Sequence, residues 1–305
     1  MVKKISIIGA GNVGSVLAFS ILQKLDIKEL VLVDISGKLA QGIALDLEDT
    51  RKFLNFSTQI KGTKNISAIK NSDLVVVTAG VTRKEGMTRL DLFKINSKIA
   101  KDLSAKIKKF APFSIVIVVT NPLDFITYVV VKETNFSRFR VIGMGSGLDT
   151  ARLINLLYKT TKICCTSLEG IVFGLHTKDM IVSLKRAKVN GESIEKFASL
   201  EKLKKVEEQV PLRGAKIVSC LKNKSAYFSP SLAVYQLVEA IVKDKNEIIP
   251  VSVLLEGEYG LKDVCLGVPC VINHKGIEKI IEMELDEREK KKMKIAQETF
   301  RECMI

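Results

Sequence analysis

The chain has 305 residues, 47% of them hydrophobic and 27% charged, which is enough for two ordinary domains with a large core. No apolar run approaches the roughly 18 residues that a membrane span needs. The formal charge of +14 comes from 48 basic and 34 acidic residues, but the lysines are scattered, tryptophan is absent and aromatics are only 6%, so a nucleic-acid partner is not expected. A general positive field suits an anionic small molecule.

Taken from the N-terminus, Lys3-Lys4 precedes a short apolar run, Ile5-Ser6-Ile7-Ile8. Gly9 to Gly14 ends that run too early for a signal sequence, so a cytoplasmic protein is expected. The run itself predicts a strand buried on both faces. Gly9, Gly11 and Gly14 follow in G-x-G-x-x-G spacing. The first glycine permits a tight turn, the second lets backbone approach a pyrophosphate, and the third lets helix and strand pack closely. A helix from Asn12 to about Lys24 then presents its free N–H groups, those of Asn12 and Val13 among them, to phosphate. A second strand ends at Asp34. A carboxylate there accepts both ribose hydroxyls of adenosine and repels a 2′-phosphate, which predicts NAD rather than NADP.

A helix from Gly37 to about Arg51 and a strand near Thr58 to Lys61 come next. Leu74 to Val77 predicts a buried strand that ends in Thr78-Ala79-Gly80. The polar segment Val81 to Arg89 reads as a mobile loop, and the helix from Leu90 to Phe110 places Leu92, Ile95, Ile99, Leu103 and Ile107 on one face. Ser114 to Val119 is the next strand, ending in Thr120-Asn121-Pro122-Leu123-Asp124, with a helix beyond to about Glu133. Arg140 to Ile142 makes a sixth strand. Six strands alternating with helices predict an α/β fold, a doubly wound parallel sheet over residues 1–142.

Residues 143–305 read as a separate α+β domain. Helices are expected over Leu148 to Thr160, Leu203 to Lys222 (interrupted near Pro211 to Gly214) and Ser231 to Lys243. Strands are expected over Leu168 to Val172, Ile181 to Leu184, Val251 to Glu256, Val264 to Leu266 and Val268 to Ile272. Val189-Asn190-Gly191-Glu192 is a hairpin turn. A final helix carries the charge run Arg288 to Lys294 as a wet face, with Leu285, Ile295 and Phe300 as anchors. The six cysteines form no C-x-x-C and only two histidines accompany them, so no metal is expected and the thiols read as reduced and mostly in the core.

Three arginines stand out. Arg83 and Arg89 lie in the loop after a nucleotide strand, and Arg152 in Leu148-Asp149-Thr150-Ala151-Arg152. A guanidinium in a cleft implies a carboxylate partner. His176 ends an apolar segment and is a candidate proton donor and acceptor. Asp149 either orients that histidine or caps a helix.

The chain resembles the lactate/malate dehydrogenase superfamily, specifically its lactate-dehydrogenase-like malate dehydrogenase branch. The resemblance spans essentially the whole chain. It includes Gly9 to Gly14, Thr78-Ala79-Gly80, Arg83 to Arg89, Thr120 to Asp124 and Leu148 to Arg152. It runs on through Ser225 to Pro230, Gly257 to Gly260 and Gly267-Val268-Pro269. The resemblance implies NAD as cofactor, held by Gly9, Gly11, Asn12, Val13, Gly14, Asp34, Thr78, Ala79, Gly80, Asn96, Val119 and Asn121. It implies that His176 passes the proton, held by Asp149. Arg152 grips the carboxylate beside the reacting carbonyl, Arg89 rides a closing loop and polarises that carbonyl, and Asn121 touches the substrate. Lactate dehydrogenases carry glutamine where this chain has Arg83, and malate dehydrogenases carry arginine. A dicarboxylate substrate is therefore implied, with lactate or another 2-hydroxy acid as the alternative. A homo-oligomer, dimer or tetramer, is implied as well.

Two positions depart from the family. The catalytic histidine is usually followed by glycine and aspartate, and here the run is His176-Thr177-Lys178-Asp179. If that glycine is left-handed, threonine is strained there. A nucleotide-binding module with weakened catalysis is the reading this departure favours. Glu85 replaces a proline common in the malate branch.

Overall fold

The computed structural model describes residues 2–82, 86–222 and 225–304. In the first half, strands β1 (Lys4–Ile8), β2 (Glu29–Val33), β3 (Gln59–Thr63), β4 (Leu74–Val77), β5 (Ile115–Val118) and β6 (Val141–Gly143) alternate with helices. These are α1 (Asn12–Lys24), α2 (Gly37–Asp49), the single turn α3 (Arg51–Leu54), α4 (Arg89–Phe110) and α5 (Leu123–Thr134). The six strands pair in parallel in the order β3-β2-β1-β4-β5-β6. Chain order reverses between β1 and β4, and ligands of open α/β sheets bind outside that switch point at the carboxyl ends of the strands. The apolar runs of β1, β2, β4 and β5 are buried on both faces, as helices on either side require.

The second half holds helices α6 (Gly145–Thr161), α7 (Leu200–Leu221), α8 (Phe228–Val242) and α9 (Glu287–Met304). Its short strands are β7 (Leu168–Glu169), β8 (Val172–Phe173), β9 (Ile181–Val182), β10 (Lys188–Val189) and β11 (Glu192–Ser193). Its long strands are β12 (Glu247–Glu256), β13 (Lys262–Asn273) and β14 (Gly276–Ile280). These last three continue the first sheet: β12 pairs antiparallel with β6 through Ser252 and Gly143, giving nine strands in one sheet among the described residues. The core is correspondingly continuous from β1 to β14, and a smaller cluster lies under β7 to β11 and α7.

Several expectations need correction. Leu168 to Val172 is two short strands, and Val264 to Ile272 is one long strand. β14 was not foreseen. α7 runs unbroken through Pro211, because Leu203, Val206 and Val210 are buried against the smaller core and hold the helix in place. On α4 the buried stripe is Leu92, Asn96, Ala100, Leu103 and Ile107, while Ile95 is largely exposed. On α9 the anchors are Met293, Ala296 and Phe300, and Ile295 is exposed. The α9 charge run is not uniformly wet: Glu289 is buried and receives Arg186 at 2.6 Å and Lys185 at 2.8 Å. The cysteines are less buried than expected, with Cys265 and Cys270 in the core and Cys164, Cys165 and Cys220 exposed. The hairpin at Asn190-Gly191 has both residues at positive φ, as a two-residue turn of that hand needs. Among the described residues no helix is long and apolar enough to cross a membrane, and no group of three or more metal-ligating side chains converges.

Candidate active site

The turn after β1 is built from backbone. Gly9 has φ +111°, and a Cβ on it would lie 2.4 Å from Thr78 Oγ1. A Cβ on Gly14 would lie 2.0 Å from the Gly9 carbonyl oxygen, so only glycine lets α1 pack this close to β1. Gly11 differs: nothing lies within 4 Å of where its Cβ would be. It is the N-cap of α1, and no side chain caps it. Open space in front of uncapped helix N–H groups fits a phosphate.

Asp34, just past β2, is held by two backbone donors. The Ala10 N–H reaches Oδ2 at 2.8 Å and the Ser36 N–H reaches Oδ1 at 2.9 Å. This aims the carboxylate across the glycine turn and leaves lone pairs on both oxygens for ribose hydroxyls. Beside it, the Thr78 and Ala79 N–H groups donate to the Ile8 carbonyl, and Thr78 Oγ1 donates to the Gly9 carbonyl at 2.9 Å. Thr78, Ala79 and Gly80 therefore form the opposite wall of the turn. The residues present fit a dinucleotide.

Asn96 is fully buried on α4, and its side chain acts as a clamp. Oδ1 accepts the Val81 N–H at 2.9 Å, while Nδ2 donates to the Val81 carbonyl at 3.1 Å and to the Asn121 carbonyl at 2.6 Å. It thus ties Val81 to the segment after β5, with both Nδ2 hydrogens donated to backbone carbonyls. Val119 is buried and donates its N–H to the Val77 carbonyl, and Asn121 is exposed at the sheet's carboxyl end. Arg89 opens α4 with an exposed side chain. The helix start is set by a capping box in which Thr88 and Asp91 exchange hydrogen bonds. Arg83 and Glu85 lie outside the described residues.

The second wall is built from side chains. His176 Nδ1 lies 2.5 Å from Asp149 Oδ2, and Arg152 Nη1 lies 3.0 Å from Asp149 Oδ1. Asp149 and Arg152 sit one turn apart on α6, and Asp149 is 1% exposed. The two readings open for Asp149 resolve here: it faces the histidine and does not cap α6, whose N-cap is Met144. Burial alone would depress the His176 pKa, but the Asp149 and Asp124 carboxylates outweigh it and the ring titrates above the ordinary value of 6.5. Arg152 Nε is buried with no partner, a donor left over for an incoming acid. Thr177 is not among the residues with positive φ, so it carries no left-handed strain; Gly174, at φ +86°, takes the turn before the histidine instead.

Sequence reasoning missed three contributors. Asp124 Oδ2 accepts the His176 backbone N–H at 2.7 Å. A Cβ on Gly145 would lie 3.2 Å from His176 Cβ and Cγ. Gly214 of α7 faces the Arg152 guanidinium, where a Cβ would be 3.4 Å from Nη2. None carries a local signal: an acid in the first turn of a helix is ordinary, and a glycine's neighbours are known only from the fold.

Comparison with known proteins agrees with this geometry. Residues 3–143 match the NAD binding domain of lactate/malate dehydrogenase, and residues 146–304 match its alpha/beta C-terminal domain. A malate dehydrogenase of Staphylococcus saprophyticus is 39% identical over 302 residues, covering 98% of this chain and 96% of that one. The crystal structure of Cryptosporidium parvum malate dehydrogenase superposes with a TM-score of 0.95 at 32% identity, over 99% of this chain and 98% of that one. The lactate dehydrogenase of the same organism, complexed with lactic acid and nicotinamide adenine dinucleotide, superposes with a TM-score of 0.94 at 26% identity, over 99% and 97%. With both family domains matched in order around a glycine turn and a His176–Asp149–Arg152 cluster, the chain belongs to the lactate/malate dehydrogenase family.

Proposed function

We propose that the protein is an NAD-dependent malate dehydrogenase that interconverts (S)-malate and oxaloacetate. The observation that carries this is the His176–Asp149–Arg152 cluster with its unpartnered Arg152 Nε, at the carboxyl end of a sheet whose glycine turn fits a dinucleotide. Residues 1–142 hold the cofactor, whose nicotinamide supplies the hydride equivalent to the carbonyl carbon. Residues 143–305 supply His176, Asp149 and Arg152, while Arg83, Arg89 and Asn121 reach the acid from the first half. Asp149 accepts a hydrogen bond from the Nδ1–H of His176, which fixes the tautomer and leaves Nε2 to give a proton to the carbonyl oxygen. Arg152 spends Nη1 on Asp149 and keeps Nε and Nη2 for the substrate's first carboxylate. Arg89 comes onto the carbonyl when the 82–88 loop closes and excludes water, with the Asn96 clamp as the fixed foot of that motion. Asn121 completes the contact beside the ring.

Arg83 selects the substrate. It pairs with the second carboxylate of oxaloacetate and is left unpaired by the methyl group of pyruvate. The test is NADH oxidation with oxaloacetate and with pyruvate, alongside Arg83→Gln and an NADPH control. Oxaloacetate is expected to be preferred by about 100-fold or more in kcat/KM, and Arg83→Gln is expected to erase most of that ratio. Preference for pyruvate in the unaltered protein, or a ratio indifferent to Arg83→Gln, rejects the assignment. We also infer a homo-oligomer, in keeping with exposed apolar side chains Leu39 and Leu45 on α2 and Phe228 and Leu232 on α8, to be measured by light scattering.

A further inference from the structure

His176 stands at the apex of a three-residue turn. The Thr177 N–H donates to the Leu175 carbonyl at 2.7 Å, so the chain reverses across the histidine. The N–H at such an apex has no partner within the turn, and a buried N–H requires one. Here the partner is a carboxylate, Asp124, brought by a helix from the other half of the chain. Asp124 is the second residue of α5, two places after Pro122, and is 2% exposed.

The rest of its surroundings are unusual for a carboxylate. Oδ1 is buried without a partner, and so is Ser252 Oγ of β12 beside it. The titratable groups facing Asp124 are the His176 ring, Asp149 of α6 and the Cys265 thiol of β13. Burial, only partly offset by the His176 ring and its backbone N–H, raises its carboxyl above the ordinary range. An asparagine amide has the same shape as this carboxyl group and keeps an acceptor oxygen in the same place. Ser252 is also the residue through which β12 pairs with β6, so this pocket lies on the seam between the two halves.

The geometry points to Asp124 as a positioning residue: its Oδ2 holds the His176 backbone N–H at the turn's apex and so keeps the imidazole on Asp149. Three constraints then fix the ring, with Asp149 at Nδ1, the Gly145 backbone packed behind Cβ, and Asp124 on the N–H. The last comes from a residue that is itself buried. The inference rests on the proposed role of His176 as proton donor, and it assigns Asp124 no proton transfer.

The experiment compares Asp124→Ala, Asp124→Asn and Asp124→Glu in the full-length protein. Three readouts are used: steady-state kinetics with oxaloacetate and NADH, NADH binding by fluorescence, and the low-field proton signal of the His176 Nδ1–H. With only two histidines in the chain, that signal is readily assigned. Asp124→Ala is expected to lower kcat by about 10- to 100-fold, with KM and NADH affinity within about threefold, and to broaden or lose the low-field signal. Asp124→Asn keeps the acceptor and is expected to restore kcat to within about threefold and to keep the signal. Asp124→Glu displaces the acceptor by one methylene and is expected to lose about tenfold in kcat, which serves if the alanine variant does not fold. The inference is overturned if Asp124→Ala or Asp124→Glu keeps normal kcat and the signal while losing only thermal stability. It is overturned equally if Asp124→Asn is as slow as Asp124→Ala. Should the unaltered protein turn over no 2-oxo acid, the proposed function fails, and the low-field signal in the three variants still decides the positioning of His176.

Discussion

Between Ile5 and Asp34 the cofactor wall is made almost wholly of backbone from one stretch of chain. The corner around His176 is made of side chains from separate stretches: Asp124 from α5, Asp149 and Arg152 from α6, and His176 from beyond β8. The first wall is specified by what is missing, namely the Cβ atoms of three glycines. The second is specified by hydrogen bonds that form only when distant segments dock. A backbone site tolerates changes in its neighbours and fails when a single atom is added. A side-chain site fails in steps, as each constraint on the ring is removed.

The sharpest test of the side-chain corner is His176→Asn, which removes the proton donor and is expected to lower kcat by about 10²- to 10⁴-fold with the fold intact. Asp149→Asn tests the electrostatics. Reduction of oxaloacetate needs protonated His176, whose pKa lies above 6.5, so the rate is expected to fall as pH rises through that raised value. Removing the Asp149 charge should move that fall to lower pH. A limb that stays in place would sink this account of the histidine. The sign for stability is the same: the His176–Asp149 attraction is fully present below the unfolded histidine value and is lost as pH rises through the folded one.

The glycine turn is broken in two distinct ways. Gly14→Ala places a Cβ 2.0 Å from the Gly9 carbonyl, and is expected to lower thermal stability by roughly 1–3 kcal/mol. Gly11→Ala meets no protein atom within 4 Å and should melt normally, yet weaken NADH binding by about tenfold or more by filling the phosphate approach. Equal melting losses in both variants would mean that Gly11 is a folding residue rather than a binding one. The smallest expected effect is at Asp34. Asp34→Ser removes the charge that repels a 2′-phosphate, and the NADH-to-NADPH preference should shrink by about 10-fold, read from the two KM values.

The parallel strands were readable because β1, β4 and β5 are unbroken apolar runs, and the cofactor wall because its glycines and Asp34 lie within thirty residues of one another. His176, Asp149 and Arg152 could be picked out as residue types, and the family resemblance supplied their roles. That the Asn96 amide bridges Val81 and Asn121 is seen only in the fold. Ile95 and Ile295 fit a helical period yet face outward, because the buried stripe of a helix is set by its neighbour and the period leaves its phase open.

The amino-acid sequence by itself determined the α/β alternation, the glycine turn and the acid just beyond the second strand, since each depends on residues close in the chain. Only the tertiary structure decided that β12, β13 and β14 extend the first sheet, that Asp124 holds the histidine's backbone, and that Asn96 ties Val81 to Asn121. Those contacts join residues 15 to more than 100 positions apart, and no local preference for turn, strand or helix encodes which distant partner a buried polar group will find.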